Sequence, residues 1–330
     1  MKTAVIVRWG AFGDCVIITP VLKRLKELGY HVTVDTSERG GKVFENNPNI
    51  DKINIGKDNS MKPGELILYW EKLKRDLKPD KFINFSESIE CNVALHPIGP
   101  RYIYPKKERY PVCNKNYYDV TEAWAKMEGC QKTPILYFTD KEREEAKSYI
   151  KPNKFNILWN LSGSGQQKVY PWTDYIMGEV LKNHAIDNGK DNSVHFITTG
   201  DKRCQMLETH SDKDVTNLSG EISVRIAMCL TEYVNLVVSP DTGVLHASGC
   251  YSTPKIGLLG HTTVTNITKY FINDYSIEAE CACAPCFHLI YDHTVQCPVE
   301  PLTQAAWCMA EGLPPRRTYD VIERVIKKHK

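Results

Sequence analysis

"VVSPDTGVLHASG", Val237 to Gly249, passes from an apolar strand through a turn into a helical pattern. The strand ends at Ser239, Pro240 and Asp241 turn the chain, and Thr242 and Gly243 open a helix whose first amides point back toward the strand end. Such a helix start binds anions through the N–H groups of Thr242 to Val244, and Gly243 lets a phosphate come close to the backbone. His246 falls in the first turn or so, within reach of the same anion. The structural alternative is an N-cap at Asp241 or Thr242 and a core histidine at 246.

The same strand, turn and helix sequence recurs on both sides of this stretch. Before it come "FNILWNLSGSG" and "VHFITTG", and after it "PKIGLLG", each an apolar strand ending in a glycine-containing turn. Nearer the start, "TAVIVR", a helix from Asp14 to Leu28, "HVTVDT", "KINIG", "ELILYWEKLKRDLK" and "KFINF" alternate in the same way. That alternation predicts an α/β chain with parallel sheets wound by helices. Within the first helix Ile17, Val21, Leu25 and Leu28 share a face, and Pro20 should bend it or restart it with Thr19 as cap.

The pattern weakens between Ile98 and Pro134, and "KEREEAKSYIKPNKF" then runs through charge into a proline. We place the domain boundary there, giving doubly wound, Rossmann-like domains over 1–150 and 151–317, with functional loops at the carboxyl ends of the strands. The two halves are expected to face each other across a cleft. Residues 318–330, "TYDVIERVIKKHK", form an amphipathic helix with basic residues in the last turn, where they suit the helix dipole.

Composition excludes several classes. The 330 residues are 42% hydrophobic and 25% charged, enough for two packed cores. A formal net charge of +2 argues against a duplex nucleic acid held by phosphate contacts, and leaves a small neutral or anionic substrate. Arg8 interrupts the first apolar run too early for a signal-peptide core, and no stretch approaches the ~18 apolar residues of a membrane span, so the expected location is cytoplasmic. Twelve cysteines at irregular spacing fit a reducing compartment.

Two further stretches carry chemistry. In "RWGAFGDCVIITPVLKRLKELG" an acid, Asp14, follows Gly10, Ala11, Phe12 and Gly13, where a nucleotide-binding loop would want amides and no negative charge. In "NLSGSGQQKVYPW" a small-residue loop after a strand presents Lys168, which could meet a diphosphate as a point charge or stand as a solvated surface lysine.

An N-terminal strand followed by a "GD" turn and a helix containing "TP", a middle "K…PW" loop, a late "DTG..H" helix start and the ending "CAPCF…C…CM" together resemble glycosyltransferase family 9, the bacterial ADP-heptose:lipopolysaccharide heptosyltransferases. The resemblance implies the GT-B fold, with the acceptor-binding domain first, the nucleotide-sugar domain second, and the last helix packing back on the first. It implies that Asp14 is the catalytic base, reaching in from the acceptor side with Gly13 before it, where Trp9 and Phe12 would reshape the acceptor mouth. Lys168 and the Thr242 to Val244 amides would hold the leaving diphosphate. Asp241 would contact donor sugar hydroxyls or order its loop, and His246 the phosphate region. No metal is needed for catalysis when a lysine and a helix start take the charge. Contacts to the nucleotide ribose and base stay unassigned.

The cysteines gather late in the chain: Cys281, Cys283, Cys286, Cys297 and Cys308, with Cys283 and Cys286 spaced C-x-x-C. Cys283, Cys286, Cys297 and Cys308 could hold a structural zinc, with His288 or His293 able to replace one; the other reading is a set of reduced packing thiols. "SESIE", Ser86 to Glu90, could line the acceptor cleft or cap a helix. "YPKKERYP" and the final "KKHK" could meet an anionic acceptor or a membrane surface, or be solvated charge.

The expected function is an inverting, metal-independent glycosyltransferase that moves a sugar, heptose by resemblance, from a nucleotide donor such as ADP-heptose to a saccharide or glycolipid acceptor such as lipopolysaccharide core. One alternative keeps the fold with another nucleotide sugar, or a nucleic-acid or protein acceptor. The other is a nucleotide-sugar-binding protein without turnover, against which Asp14 argues.

Overall fold

The computed structural model describes residues 1–56, 63–87, 105–186, 191–210, 212–287 and 297–330. The chain divides into two compact units, Met1–Phe138 and Thr139–Lys330.

The first unit is built on β1 (Lys2–Arg8), β2 (Tyr30–Thr36), β3 (Lys52–Ile55) and β4 (Lys81–Asn84), all parallel, in the order β3-β2-β1-β4. Ala4 to Arg8 are buried without a break, as in strands covered by helices on both faces. The helical stretch after β1 is two helices, α1 (Phe12–Ile17) and α2 (Thr19–Glu27), followed in the chain by α3 (Glu38–Phe44), α4 (Pro63–Leu77), α5 (Lys106–Cys113) and α6 (Tyr117–Trp124). Pro20 does restart the helix, but Thr19 is not its cap. Ile18 takes that place, and the Thr19 hydroxyl bonds back to Val16 O and accepts from Ile135 N. Ile17, Val21 and Leu25 are buried as expected, whereas Leu28 lies past the end of α2 and is exposed.

The second unit opens with α7 (Asp140–Ser148), the charged run at which the sequence places the domain boundary. Its N-terminus has a capping box between Thr139 and Glu142, and Glu142 and Arg143 pair with Arg225 and Glu232. The charges are therefore partnered within the second unit, which moves the boundary back from 150 to Phe138. Its main sheet comprises β5 (Phe155–Asn160), β6 (Val194–Thr199), β7 (Val215–Asn217), β8 (Leu236–Pro240), β9 (Lys255–Leu259) and β10 (Ile277–Glu278). All are parallel, in the order β10-β9-β8-β5-β6-β7. Among its helices are α8 (Thr173–Asn183), α9 (Val224–Leu230), α10 (Gly243–Ser248) and α11 (Pro315–His329).

Thr318, Val321, Ile322, Val325 and Ile326 recur at helical spacing and form the buried face of α11. Its apolar members share a core with Phe155, Ile157, Trp159 and Tyr170. Polar contacts reinforce the docking: Tyr170 donates to Thr318 Oγ1 (2.8 Å), Glu323 meets His184 Nε2 (3.1 Å), and His329 meets Tyr275 (2.9 Å). The terminal helix thus completes the second unit, where its apolar face finds its core, and is not part of the first. Lys330 is held on Ser193 and Lys328 over the Tyr275 ring, so the basic tail is partly engaged at home. Among the described residues, no helix is long and apolar enough to cross a membrane.

Candidate functional site

Strand order reverses between β1 and β4 in the first sheet and between β8 and β5 in the second. Crevices at the carboxyl ends of strands beside such a reversal are where open α/β sheets bind ligands. Asp14 and Ser86 follow β1 and β4, and Lys168 and Asp241 follow β5 and β8.

In the first unit β1 ends at Arg8, and Gly10 takes a φ of +138°, a value that favours glycine, before α1 begins. Asp14 stands in the first turn of α1. Its Oδ2 accepts from Ala11 N at 2.9 Å, and its Oδ1 lies 3.0 Å from Arg8 Nη2. Arg8 is fully buried, and also donates from Nε to Asp14 O and from Nη1 to Phe85 O, both at 3.3 Å. The acid therefore satisfies a helix start and a buried cation, while 24% of its side chain stays open to solvent.

Ser86 and Trp9 point inward. Ser86 is buried and accepts from Trp9 N at 2.8 Å, so its hydroxyl pins the loop after β1 instead of lining a cleft; the rest of "SESIE", Ser88 to Glu90, lies outside the described residues. Gly13 is likewise buried, in the body of α1. Trp9 does not shape an acceptor mouth. Its ring packs with Val7 and Trp70 and donates to Asp35 Oδ1 at 2.8 Å, and Tyr69 donates to Asp35 Oδ2 at 2.7 Å. Burial pushes the Asp35 carboxyl above its ordinary range against these two hydrogen bonds. Gly56 permits the arrangement, because a Cβ there would stand 2.2 Å from Trp9 Cζ2.

In the second unit Asp241 follows β8 and is buried. His246 Nε2 meets its Oδ1 at 3.1 Å, while Lys168 Nζ and His261 Nε2 each lie 3.5 Å from Oδ2. Burial opposes the charge on Asp241, but Lys168 and the two imidazoles outweigh it and hold the carboxyl far below the usual carboxylate range. His246 Nδ1 is buried with no hydrogen-bond partner among the described residues. Thr242 begins α10 without capping it. Its hydroxyl is taken by Ser239 Oγ (2.8 Å) and Asn160 Nδ2 (3.2 Å), which leaves the first amides of the helix without a side-chain cap. Thr242 and Gly243 are half-buried and Val244 buried.

Lys168, Asp241, Thr242, Gly243, Val244 and His246 are thus brought together by β5 and β8, as the motifs suggest. Two contributors were missed. His261 follows β9, whose pairing with β8 (Pro240 opposite Leu258) carries the chain beyond it to Asp241. Gly163 makes room for Lys168: a Cβ there would come within 2.7 Å of Lys168 Cδ, 3.0 Å of its Cβ and 3.1 Å of Thr242 Cγ2.

Cys283, Cys286, Cys297 and Cys308 line one cavity of about 60 Å³ with Gly260, Ala284, Pro298 and Trp307, and Cys281 Sγ lies 3.5 Å from Cys283 Sγ. Burial and the neighbouring Cys281 push the Cys283 thiol up to about 12. Among the described residues, no three metal-ligating side chains are gathered in the geometry of a metal site. His288 and His293 lie outside the described residues.

Two doubly wound α/β units of this kind are those of the GT-B fold. The chain belongs to glycosyltransferase family 9: the family model described as Glycosyltransferase family 9 (heptosyltransferase) matches residues 104–293, more than half of its length. Among curated proteins none matches the sequence. Among solved structures it is similar to the glycosyl transferase family 9 protein from Veillonella parvula DSM 2008, at 14% identity over 99% of this chain and 97% of that one, with a TM-score of 0.67. It is similar to E. coli ADP-heptose lps heptosyltransferase II, at 14% identity over 99% of each chain and a TM-score of 0.65. It is also similar to E. coli heptosyltransferase WaaC with ADP-2-deoxy-2-fluoro heptose, at 15% identity over 98% and 99%, with a TM-score of 0.55. At these identities the likeness is one of fold.

Proposed function

We propose that this family 9 glycosyltransferase is an inverting, metal-independent enzyme that transfers heptose from ADP-heptose to a saccharide acceptor of the lipopolysaccharide-core type, working in the cytoplasm. The observation that carries the reading is a division of chemistry. The first unit offers a partly open carboxylate, Asp14, at its switch point; the second offers a partly open ammonium, Lys168, beside the uncapped start of α10. Asp14 takes the proton of the acceptor hydroxyl as the oxygen attacks the anomeric carbon. The bond from that carbon to the diphosphate oxygen breaks, and the electron pair leaves with the nucleoside diphosphate. Lys168 and the Thr242 to Val244 amides meet the charge that develops there, with His246 beside them. One displacement at one carbon inverts the anomeric configuration. A bound analogue of ADP-heptose in a similar E. coli structure supports the choice of donor.

The test is transfer by the full chain from ADP-heptose, against UDP- and GDP-sugars, to heptose-deficient core saccharide. ADP release is measured with and without chelator, and the product anomer is read by NMR. Transfer from another donor class would replace the donor, retention would replace the mechanism, and donor binding with no turnover on any acceptor would favour a binding protein.

For the cysteine cluster we propose a structural zinc that would draw together the four thiols lining one cavity, which on their own do not stand in the geometry of a metal site. The metal would tie the segment around Cys283 and Cys286 to Cys297 and Cys308 and take no part in transfer.

A further inference from the structure

The resemblance offered Asp241 two roles, donor contact or ordering its loop, and the geometry favours the second. It is 5% exposed, and both its oxygens are met from within the unit: Oδ1 by His246, Oδ2 by Lys168 and His261. These partners come from three places, the loop after β5, helix α10 and the turn after β9. Their exposures differ. The His261 side chain is 1% exposed, whereas that of Lys168 retains 17% and is the one able to turn outward.

Resting on the donor reading above, we infer that His261 is a positioning residue that lets Lys168 leave Asp241 for the donor diphosphate. A buried carboxylate that loses a partner is strongly destabilised unless another group holds its charge. When Lys168 swings to the diphosphate, Asp241 keeps His246 on Oδ1 and His261 on Oδ2, so each oxygen still faces a ring nitrogen. With His261 gone, Lys168 is the remaining ion-pair partner of Oδ2 among the described residues. The lysine is then locked in place, and the uncompensated acid repels the incoming phosphates. Asp241 is in this account an anchor on which Lys168 is parked, and His261 makes the parking reversible.

The experiment is a double-variant cycle on the full chain, read by calorimetry with ADP and with inorganic pyrophosphate, which carries no base or sugar. His261→Leu should weaken ADP binding about tenfold or more, equivalent to about 1.4 kcal/mol. Asp241→Asn should bind ADP no worse than the parent, since nothing then holds the lysine. In the Asp241→Asn background, His261→Leu should change affinity by less than about twofold, the limit expected for uncoupled sites. His261→Gln, which keeps an N–H donor, should restore binding to near the parent value. Equal losses on His261→Leu in both backgrounds overturn the inference, because a merely structural histidine gives that result. If His261→Leu does not fold, Asp241→Asn alone decides: a loss as large as that of Lys168→Ala overturns it. Failure of ADP and pyrophosphate to bind even the parent chain is a different outcome, which removes the donor reading and this inference with it.

Discussion

Arg8 Nη2 lies 3.0 Å from Asp14 Oδ1, and the guanidinium is 1% exposed while the carboxylate is 24% exposed. On the proposed mechanism the acid at the first switch point has two loads, one structural and one chemical, and a single substitution removes both.

Asp14→Asn should lower turnover by the ~10²- to 10⁴-fold typical of lost acid–base catalysis and leave ADP affinity near the parent value. It should also lower the melting temperature, because Arg8 keeps its charge in a buried place after its carboxylate is gone. Adding Arg8→Met should recover part of that stability and none of the turnover. A double variant that regains activity along with stability would remove Asp14 from the chemistry.

Gly163→Ala should weaken ADP binding severalfold with little change in fold. The new methyl would stand 2.7 Å from Lys168 Cδ, 3.0 Å from its Cβ and 3.1 Å from Thr242 Cγ2, so the lysine must shift to admit it. Unchanged affinity in calorimetry would mean that the donor does not use this corner.

Lys255 should make a contribution to stability that rises with pH across the alkaline range. This lysine is wholly buried at the start of β9, its Nζ donating to Tyr251 O and Ile272 O at 2.8 Å, and burial holds it down at about 8. The unfolded chain keeps that proton to about 10.4, so between these values it binds more protons than the fold, and this group's contribution to stability increases with pH there. Melting curves from pH 7.5 to 10 should show the parent gaining on Lys255→Met; parallel curves would count against it.

On the acid side, Glu142 is held at about 2, first by its hydrogen bond to Arg225. A depressed carboxyl contributes stability that is complete above its unfolded value near 4.3 and is lost as pH falls toward 2. Glu142→Gln should flatten that loss. At neutral pH it should also cost the second unit a few kcal/mol, about 3, since Arg225 is buried.

Protein made with zinc present should carry about one metal per chain if the four thiols act as a set, and chelation should lower its melting temperature. Elemental analysis without zinc, together with four freely titrating thiols, leaves packing as their only role.

The parallel sheets and the two switch-point loops were legible because alternating apolar strands and helical periods are local properties of the sequence. His261 was not, although it directly follows a quoted strand end. Only the neighbouring of β8 and β9 puts it beside Asp241, and strand order is not written in any one segment. Trp9 was misread for the same reason: the pairing of Arg8 with Thr36 brings the ring to Asp35, from a strand read on its own. The charged run after Thr139 misled in the opposite sense. Dense charge suggested a domain boundary, but the charges find partners only once α9 is folded against it.

The docking of α11 into the second core also sets an order of assembly during synthesis. The first unit has all its residues once the ribosome has passed Phe138, and can collapse while translation continues. The second cannot close until residues 315–329 emerge, because Val321, Ile322, Val325 and Ile326 plug the core around Trp159 and Tyr170. Until then that apolar surface is open to water and to chaperones. Premature stop codons in this stretch should thus affect yield through aggregation of a half-finished second unit, with the first already folded.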